Sequence, residues 1–357
     1  MIHSLKKTTI VHLFIPAVLL MTSLPASIHS GEFLKRSHRH GEATLPYQLF
    51  VPEGYTTAKS YPIVLVLHGA GERGDDTTRH MVNNVTEWCG TIQQSVPAFI
   101  VFPQCPHGNQ WVDVPWSSGL YNSDTVAISN ELATSLSLVD SLMDEFSIDE
   151  NRQYITGLSM GGFGVWDALI RFPDRFAAAM PVCGGSDPTK AKSISHVPVW
   201  AFHGAHDGAI NPQGTRQMIQ GIRDAGVDVL LTECPDDDCS KRLSGEQLAG
   251  EAEKYQCLYT EYPTTGHNAW EQAYQNTVAL AWILSHVRNT ETHSQYSFAN
   301  SYAKHEDGNV PAISLRNPLQ VDNKPPTNHS TLFDCGGRKV STPNSWHLTI
   351  PPKSGTQ

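Results

Sequence analysis

Gly157-Leu158-Ser159-Met160-Gly161, Asp207 and His267 are the residues of this 357-residue chain whose types and spacing could do chemistry together. A serine hydroxyl is a poor nucleophile near neutral pH. It needs an imidazole to take its proton and a carboxylate to orient that imidazole. In the Gly-x-Ser-x-Gly pattern the serine sits on a tight, strained turn between a strand and a helix, with its hydroxyl projecting from the end of the sheet. Gly157 and Gly161 suit that turn because a side chain at either position would collide with it or with the crossing helix. The pentapeptide alone matches many ordinary turns, so its surroundings decide. Upstream, Gln153-Tyr154-Ile155-Thr156 favours a strand. Downstream, Phe163, Trp166, Leu169 and Ile170 recur at helical spacing and Pro173 closes the segment.

The acid and the base should come from loops at the carboxyl ends of later strands. His203-Gly204-Ala205-His206-Asp207 follows the apolar run 199–202, which puts Asp207 on an exit loop as the acid. Capping a helix after Pro212 is the plainer role for Asp207, but a cap does not account for the His-Gly-x-x-Asp pattern. Pro263-Thr264-Thr265-Gly266-His267 follows the run 258–262 and offers His267 as the base. The chain has 17 histidines, so position rather than type singles out His267. His203 and His206 read as packing or loop hydrogen-bonding residues, and Asp187 as a rival acid. A tetrahedral oxyanion also needs two backbone donors. One is the amide of Met160; the other is Ala70 or Gly71, in the glycine-rich loop 67–74. In that loop His68 reads as a structural hydrogen-bonder and Glu72 with Arg73 as a structural ion pair. Trp111 and Trp116 could line a cleft and stack on a sugar or aryl group, against the commoner role of tryptophan in cores.

The elements that must position these groups follow from short apolar runs. Residues 63–67, 98–102, 154–156, 177–182 and 197–202 are apolar without polar alternation, as in strands covered on both faces. Residues 43–52 alternate enough for an edge strand. Leu132, Leu136, Val139, Met143 and Phe146 form one apolar helical face, and 278–287 reads as a closing helix. Strands alternating with helices predict an α/β fold with a mostly parallel, doubly wound sheet and helices on both faces.

A formal net charge of −10 and the lack of a basic stripe argue against nucleic acid as a partner. Lys6 and Lys7, an apolar run over 10–21 and small residues at Ser23, Ala26, Ser27 and Ser30 predict a secretory signal over residues 1–30. That run is too short, and too interrupted by His12 and Pro16, for a stable membrane span. Residues 31–288 form the predicted catalytic domain. Within it, 233–257 reads as a polar insertion, and Asp236-Asp237-Asp238 as a solvated turn rather than a cation site. Residues 289–357 are rich in Ser, Thr, Asn, Pro and His and read as a disordered tail. Of seven cysteines, Cys183 reads as buried core, while a local disulfide among Cys234, Cys239 and Cys257 fits export better than a zinc site.

Five stretches in order carry a resemblance. They are the loop 67–74, Phe102-Pro103-Gln104-Cys105-Pro106, Gly157-Leu158-Ser159-Met160-Gly161-Gly162-Phe163-Gly164, Trp200-Ala201-Phe202-His203-Gly204-Ala205 and Gly266-His267-Asn268-Ala269-Trp270. Together they resemble exported α/β-hydrolases, the bacterial "predicted peptidases" of the dienelactone hydrolase and phospholipase/carboxylesterase type. These lie close to polyhydroxybutyrate depolymerase-like and feruloyl or acetyl xylan esterases. The resemblance spans residues 45–287. It implies an α/β-hydrolase fold with Ser159, Asp207 and His267 as a triad, without metal or organic cofactor. The expected substrate is a small-molecule or polysaccharide-linked ester. A serine peptidase of prolyl oligopeptidase type is the alternative, disfavoured because no propeller or second domain is found to position a peptide. A binding protein on the same scaffold would have a damaged triad, and no triad position is missing. The insertion 233–257 departs from the pattern and could form part of a lid; the tail has no recognised counterpart.

Overall fold

The computed structural model describes residues 31, 33–90 and 92–288, and the short antiparallel pair Leu332–Phe333 and Lys339–Val340. The expected signal over 1–30 and the remainder of the expected tail over 289–357 lie outside the described residues.

The central strands bury side chains on both faces because helices cover both. In β3 (Tyr61–Leu67), Ile63, Leu65 and Leu67 enter one core while Val64 and Val66 enter the other. The same alternation runs through β4 (Phe99–Pro103), where Phe99 and Val101 oppose Ile100 and Phe102. The helices divide accordingly. On the first face lie α2 (Asn130–Glu145), α3 (Met160–Arg171) and α4 (Gln213–Asp224). On the second lie α1 (Ile92–Ser95), α5 (Gly245–Ala252), α6 (Trp270–Gln275) and α7 (Thr277–Ser285). Helix α2 starts where the Ser129 hydroxyl accepts the amide of Leu132 at 3.0 Å, and it buries Leu132, Leu136 and Val139. No described helix is long and apolar enough to cross a membrane.

The remaining strands are β1 (Phe33–His40), β2 (Ala43–Phe50), β5 (Ile148–Leu158), β6 (Ala178–Val182), β7 (Val199–Gly204), β8 (Val229–Glu233) and β9 (Cys257–Tyr262). They form one sheet in the order β1-β2-β4-β3-β5-β6-β7-β9-β8. Pairing is parallel from β4 through β8 and antiparallel only for β1 with β2 and β2 with β4. The expected edge strand over 43–52 is therefore second in the sheet, covered by β1. At the other end β9 inserts between β7 and β8, with Gly204 opposite Tyr262. Leu67 lies opposite Gly157, and Leu158 opposite Val182. The exits of β3, β5, β6, β7 and β9 thus meet along one edge of the sheet, where ligands of such sheets bind.

Candidate active site

The turn between β5 and α3 places Ser159 in a conformation that side chains rarely adopt, with φ 54° and ψ −117°. Its amide donates to the last carbonyl of β6, Val182, at 2.9 Å, and its carbonyl accepts the amide of Phe163 at 3.2 Å. The turn is possible only because neighbouring backbones approach closely. A Cβ on Gly161 would lie 2.0 Å from the carbonyl oxygen of Leu67, the last residue of β3.

His267 arrives on a loop laid across β7. A Cβ on Gly204 would lie 2.0 Å from the carbonyl oxygen of Gly266, so glycine at the end of β7 lets the histidine loop settle there. The amide of His206 then donates to the carbonyl of Thr265 at 3.1 Å. Insertion of β9 beside β7 thereby makes the Asp207 loop and the His267 loop neighbours. His267 Nδ1 lies 2.8 Å from Asp207 Oδ2, and Nε2 lies 2.8 Å from Ser159 Oγ. A carboxylate only accepts, so Nδ1 carries the hydrogen and Nε2 is left to accept the serine proton. The Trp270 ring packs edge-to-face with the imidazole at 5.1 Å between centroids.

Asp207 is held on all sides. Oδ1 accepts the amides of Ala209 and Ile210, each at 2.9 Å. Oδ2 accepts a second imidazole, His203 Nε2, at 3.1 Å. That nitrogen faces only acceptors, the other being the Ile210 carbonyl at 3.2 Å, so it too carries a hydrogen. Burial raises the Asp207 pKa, but hydrogen bonds from His203, His267 and the Ile210 amide outweigh it and hold the carboxyl well below the usual carboxylate range. Cys183, His203 and Asp207 bring donor atoms within 4.8 Å of one another. The oxygen and nitrogen that face each other there are already engaged in hydrogen bonds, which makes the group packing rather than a ligand set.

The expected oxyanion donors begin helical turns. Met160 is the first residue of α3 and Ala70 the first of a single 3-10 turn over Ala70–Glu72, so neither N–H has an acceptor within its own turn. A Cβ on Gly69 would lie 3.5 Å from the Ser159 Cβ, which brings this loop beside the serine. Arg73 stiffens it by donating from Nε to the Ala70 carbonyl at 2.8 Å and from Nη1 to the Asn109 carbonyl at 3.2 Å.

A family model described as "Esterase: Putative esterase" matches residues 42–275, a span that contains β2 through α6. The chain belongs to that esterase family. Its structure is an α/β-hydrolase, similar to a solved thermostable esterase at a TM-score of 0.59 and 30% identity, covering 72% of this chain and 63% of that one. The sequence is similar to a bifunctional acetylxylan esterase/xylanase of Neocallimastix patriciarum, 27% identical over 47% of this chain and 22% of that protein. It is also similar to poly(3-hydroxyalkanoate) depolymerase C of Paucimonas lemoignei, 29% identical over 38% of this chain and 30% of that protein. The chain therefore spans under a third of the length of either relative.

Several expectations for this esterase-family chain change in the structure. Trp111 does not line a cleft: it is fully buried, and its Nε1 donates to the His68 carbonyl at 2.9 Å beneath the β3 exit. Trp116 is half-buried with the Arg73 guanidinium 5.7 Å from its ring centre. Arg73 points to carbonyls and that ring, not to Glu72, so the expected Glu72–Arg73 pair gives way to a loop clamp. Of the three candidate cysteines, Cys234 and Cys239 are bonded and Cys257 is free. Cys257 faces the first core while Cys234 and Cys239 pack against the second, so the sheet separates them. Sequence reasoning left His203 without a catalytic partner, although the His-Gly-x-x-Asp spacing carries that signal. Asp237, expected in a solvated turn, instead accepts the amide of Thr264 and the hydroxyl of Thr265.

His68 and His80 lie behind the loop 69–73, each at most 2% exposed. His68 Nε2 accepts the Cys105 amide at 2.9 Å, so Nδ1 donates to the Gly69 carbonyl. Burial pushes the His68 imidazole down to about 3 and that of His80 to about 4. The unfolded chain therefore binds protons first as the pH falls, and stability declines below about pH 6.5. Between pH 7 and pH 5 the expected loss is roughly 2 kcal/mol for each of the two histidines. Thermal melts at pH 7, 6 and 5 measure it; a midpoint that does not move over this range would refute it.

Proposed function

We propose that this chain is an exported serine hydrolase that cleaves carboxylic esters through an acyl-enzyme. The observation that carries the reading is the pair of 2.8 Å contacts linking Ser159 Oγ, His267 and Asp207 in a chain of the esterase family. Ser159 Oγ attacks the acyl carbon as its proton passes to His267 Nε2. Asp207 stabilises the imidazolium while the amides of Met160 and of Ala70 or Gly71 hold the oxyanion. The bond from the acyl carbon to the leaving oxygen then breaks, and Nε2 returns the proton to the departing alcohol. Water, deprotonated by the same nitrogen, attacks the acyl-serine and releases the acid. The disulfide between Cys234 and Cys239 supports export, since such bonds persist in oxidising compartments.

The similarity to an acetylxylan esterase favours polysaccharide-linked esters as the substrate class, with small-molecule esters of the same acyl groups as the simpler substrates. A panel of p-nitrophenyl acetate, butyrate and octanoate, methyl ferulate, acetylated xylan and aminoacyl p-nitroanilides tests the reading. The expected result is turnover of at least the short acyl esters, with anilides untouched. Cleavage of anilides with every ester left intact would replace it with the peptidase reading.

A further inference from the structure

The insertion 233–257 reaches the histidine loop through Asp237. Asp237 Oδ1 accepts the amide of Thr264 at 2.9 Å. Oδ2 accepts the hydroxyls of Thr264 and Thr265, the latter at 2.8 Å. Thr265 Oγ1 in turn accepts Gln272 Nε2 from α6 at 3.1 Å, and the Thr265 carbonyl accepts the amide of His206. The two residues before Gly266-His267 are thus gripped from the insertion, from α6 and from the acid loop.

Asp237 reaches them through an unusual backbone. Asp236 and Asp237 are consecutive left-handed residues, φ 50° and 62°; aspartate visits this region more readily than most side chains, but two in succession need local support. The supporting features are the Cys234–Cys239 disulfide, which closes the turn around them, and the amide of Asp237 donating to the Cys234 carbonyl at 2.9 Å.

We propose that Asp237 is a positioning residue for the base His267, held in its working geometry by the Cys234–Cys239 disulfide. The proposal rests on His267 being the general base of the proposed hydrolase. It makes turnover sensitive to reduction. A dithiol passes two electrons and two protons to the bond, leaving two cysteine thiols and its own disulfide, and the turn is freed to leave the left-handed region. The half-buried Cys239 offers the point of attack.

The experiment compares kcat and KM on p-nitrophenyl acetate for the full chain, the chain reduced by dithiothreitol, Asp237→Ala, Asp237→Asn, Cys234→Ser with Cys239→Ser, and Ser159→Ala. Small misplacements of a catalytic group cost rate more than binding. Asp237→Ala is expected to lower kcat about tenfold to a hundredfold with KM within about twofold. Asp237→Asn, which keeps an acceptor for the Thr264 amide, should recover much of the loss. Reduction and the serine pair should each reproduce the alanine effect, and Asp237→Ala should add little to the serine pair, as coupled sites do. Full kcat in both Asp237→Ala and the reduced chain, with Ser159→Ala inactive, overturns the brace and leaves the hydrolase reading standing. Turnover surviving in Ser159→Ala overturns that reading instead. A loss confined to KM, or one that multiplies fully with the serine pair, also overturns the brace. Reduction acts on folded protein, so the comparison stands even if a variant does not fold.

Discussion

Ser159→Ala is expected to lower kcat on short acyl esters by about 10⁴- to 10⁶-fold, with KM and melting temperature close to those of the full chain. The hydroxyl contributes one hydrogen bond, to His267 Nε2, and the turn that presents it is held by backbone contacts to Val182 and Phe163. Alanine keeps the Cβ and faces the same cost at φ 54°, so the turn survives the change. His267→Ala should cost about as much, and the double variant no more than either alone, because in the proposed mechanism nucleophile and base act in one step. Turnover by Ser159→Ala above about one per cent of wild type would place the nucleophile elsewhere. Residual catalysis over water, on the order of 10³-fold, should persist from the oxyanion donors alone. Single-turnover measurements with a chromogenic ester separate that residue from contamination.

The serine turn was legible because its chemistry is local. The strand before it, the helix after it and the glycines at 157 and 161 are all within one short stretch of sequence. The central strands were legible for the same reason: burial on both faces leaves an unbroken apolar run such as 63–67. What sequence conveys poorly is what depends on partners far along the chain. β1 reads Phe33-Leu34-Lys35-Arg36-Ser37-His38-Arg39-His40, polar enough to hide a strand, because it is the sheet edge, with Leu34, Arg36 and His38 only half-buried and the rest exposed. No local signal says that β9 inserts between β7 and β8, yet that insertion makes Asp207 and His267 neighbours. Asp237 sits in a run of three aspartates that reads as solvated. Its function depends on Thr264 and Thr265, which only the folded chain brings to it. Trp111 has the type of a stacking residue, but its indole N–H finds its acceptor in the His68 carbonyl inside the core. Residue type and local order therefore carry the chemistry, whereas the supports of that chemistry are tertiary.

Gly161→Ala should be among the most damaging single-methyl changes, costing more than about 4 kcal/mol of folding stability. The added Cβ would stand 2.0 Å from the Leu67 carbonyl oxygen, 2.6 Å from its carbon and 2.9 Å from the His68 carbonyl oxygen. All three are backbone atoms, so no side chain can rotate away. Relief requires α3 to lift from the exit of β3, and overpacking of even adaptable cores costs about 1–3 kcal/mol. Lifting α3 also carries the Met160 amide and Ser159 away from the Ala70 loop, so chain that still folds should lose kcat as well. Gly250→Ala in α5 supplies the opposite sign. A Cβ there meets nothing within 4 Å, and alanine is favoured over glycine inside a helix by about 0.8–1 kcal/mol, so stability should rise. Chemical denaturation of both variants tests the contrast. A Gly161→Ala chain as stable as wild type would mean that α3 is not seated against Leu67. The strained serine turn would then not depend on a close approach of helix to strand.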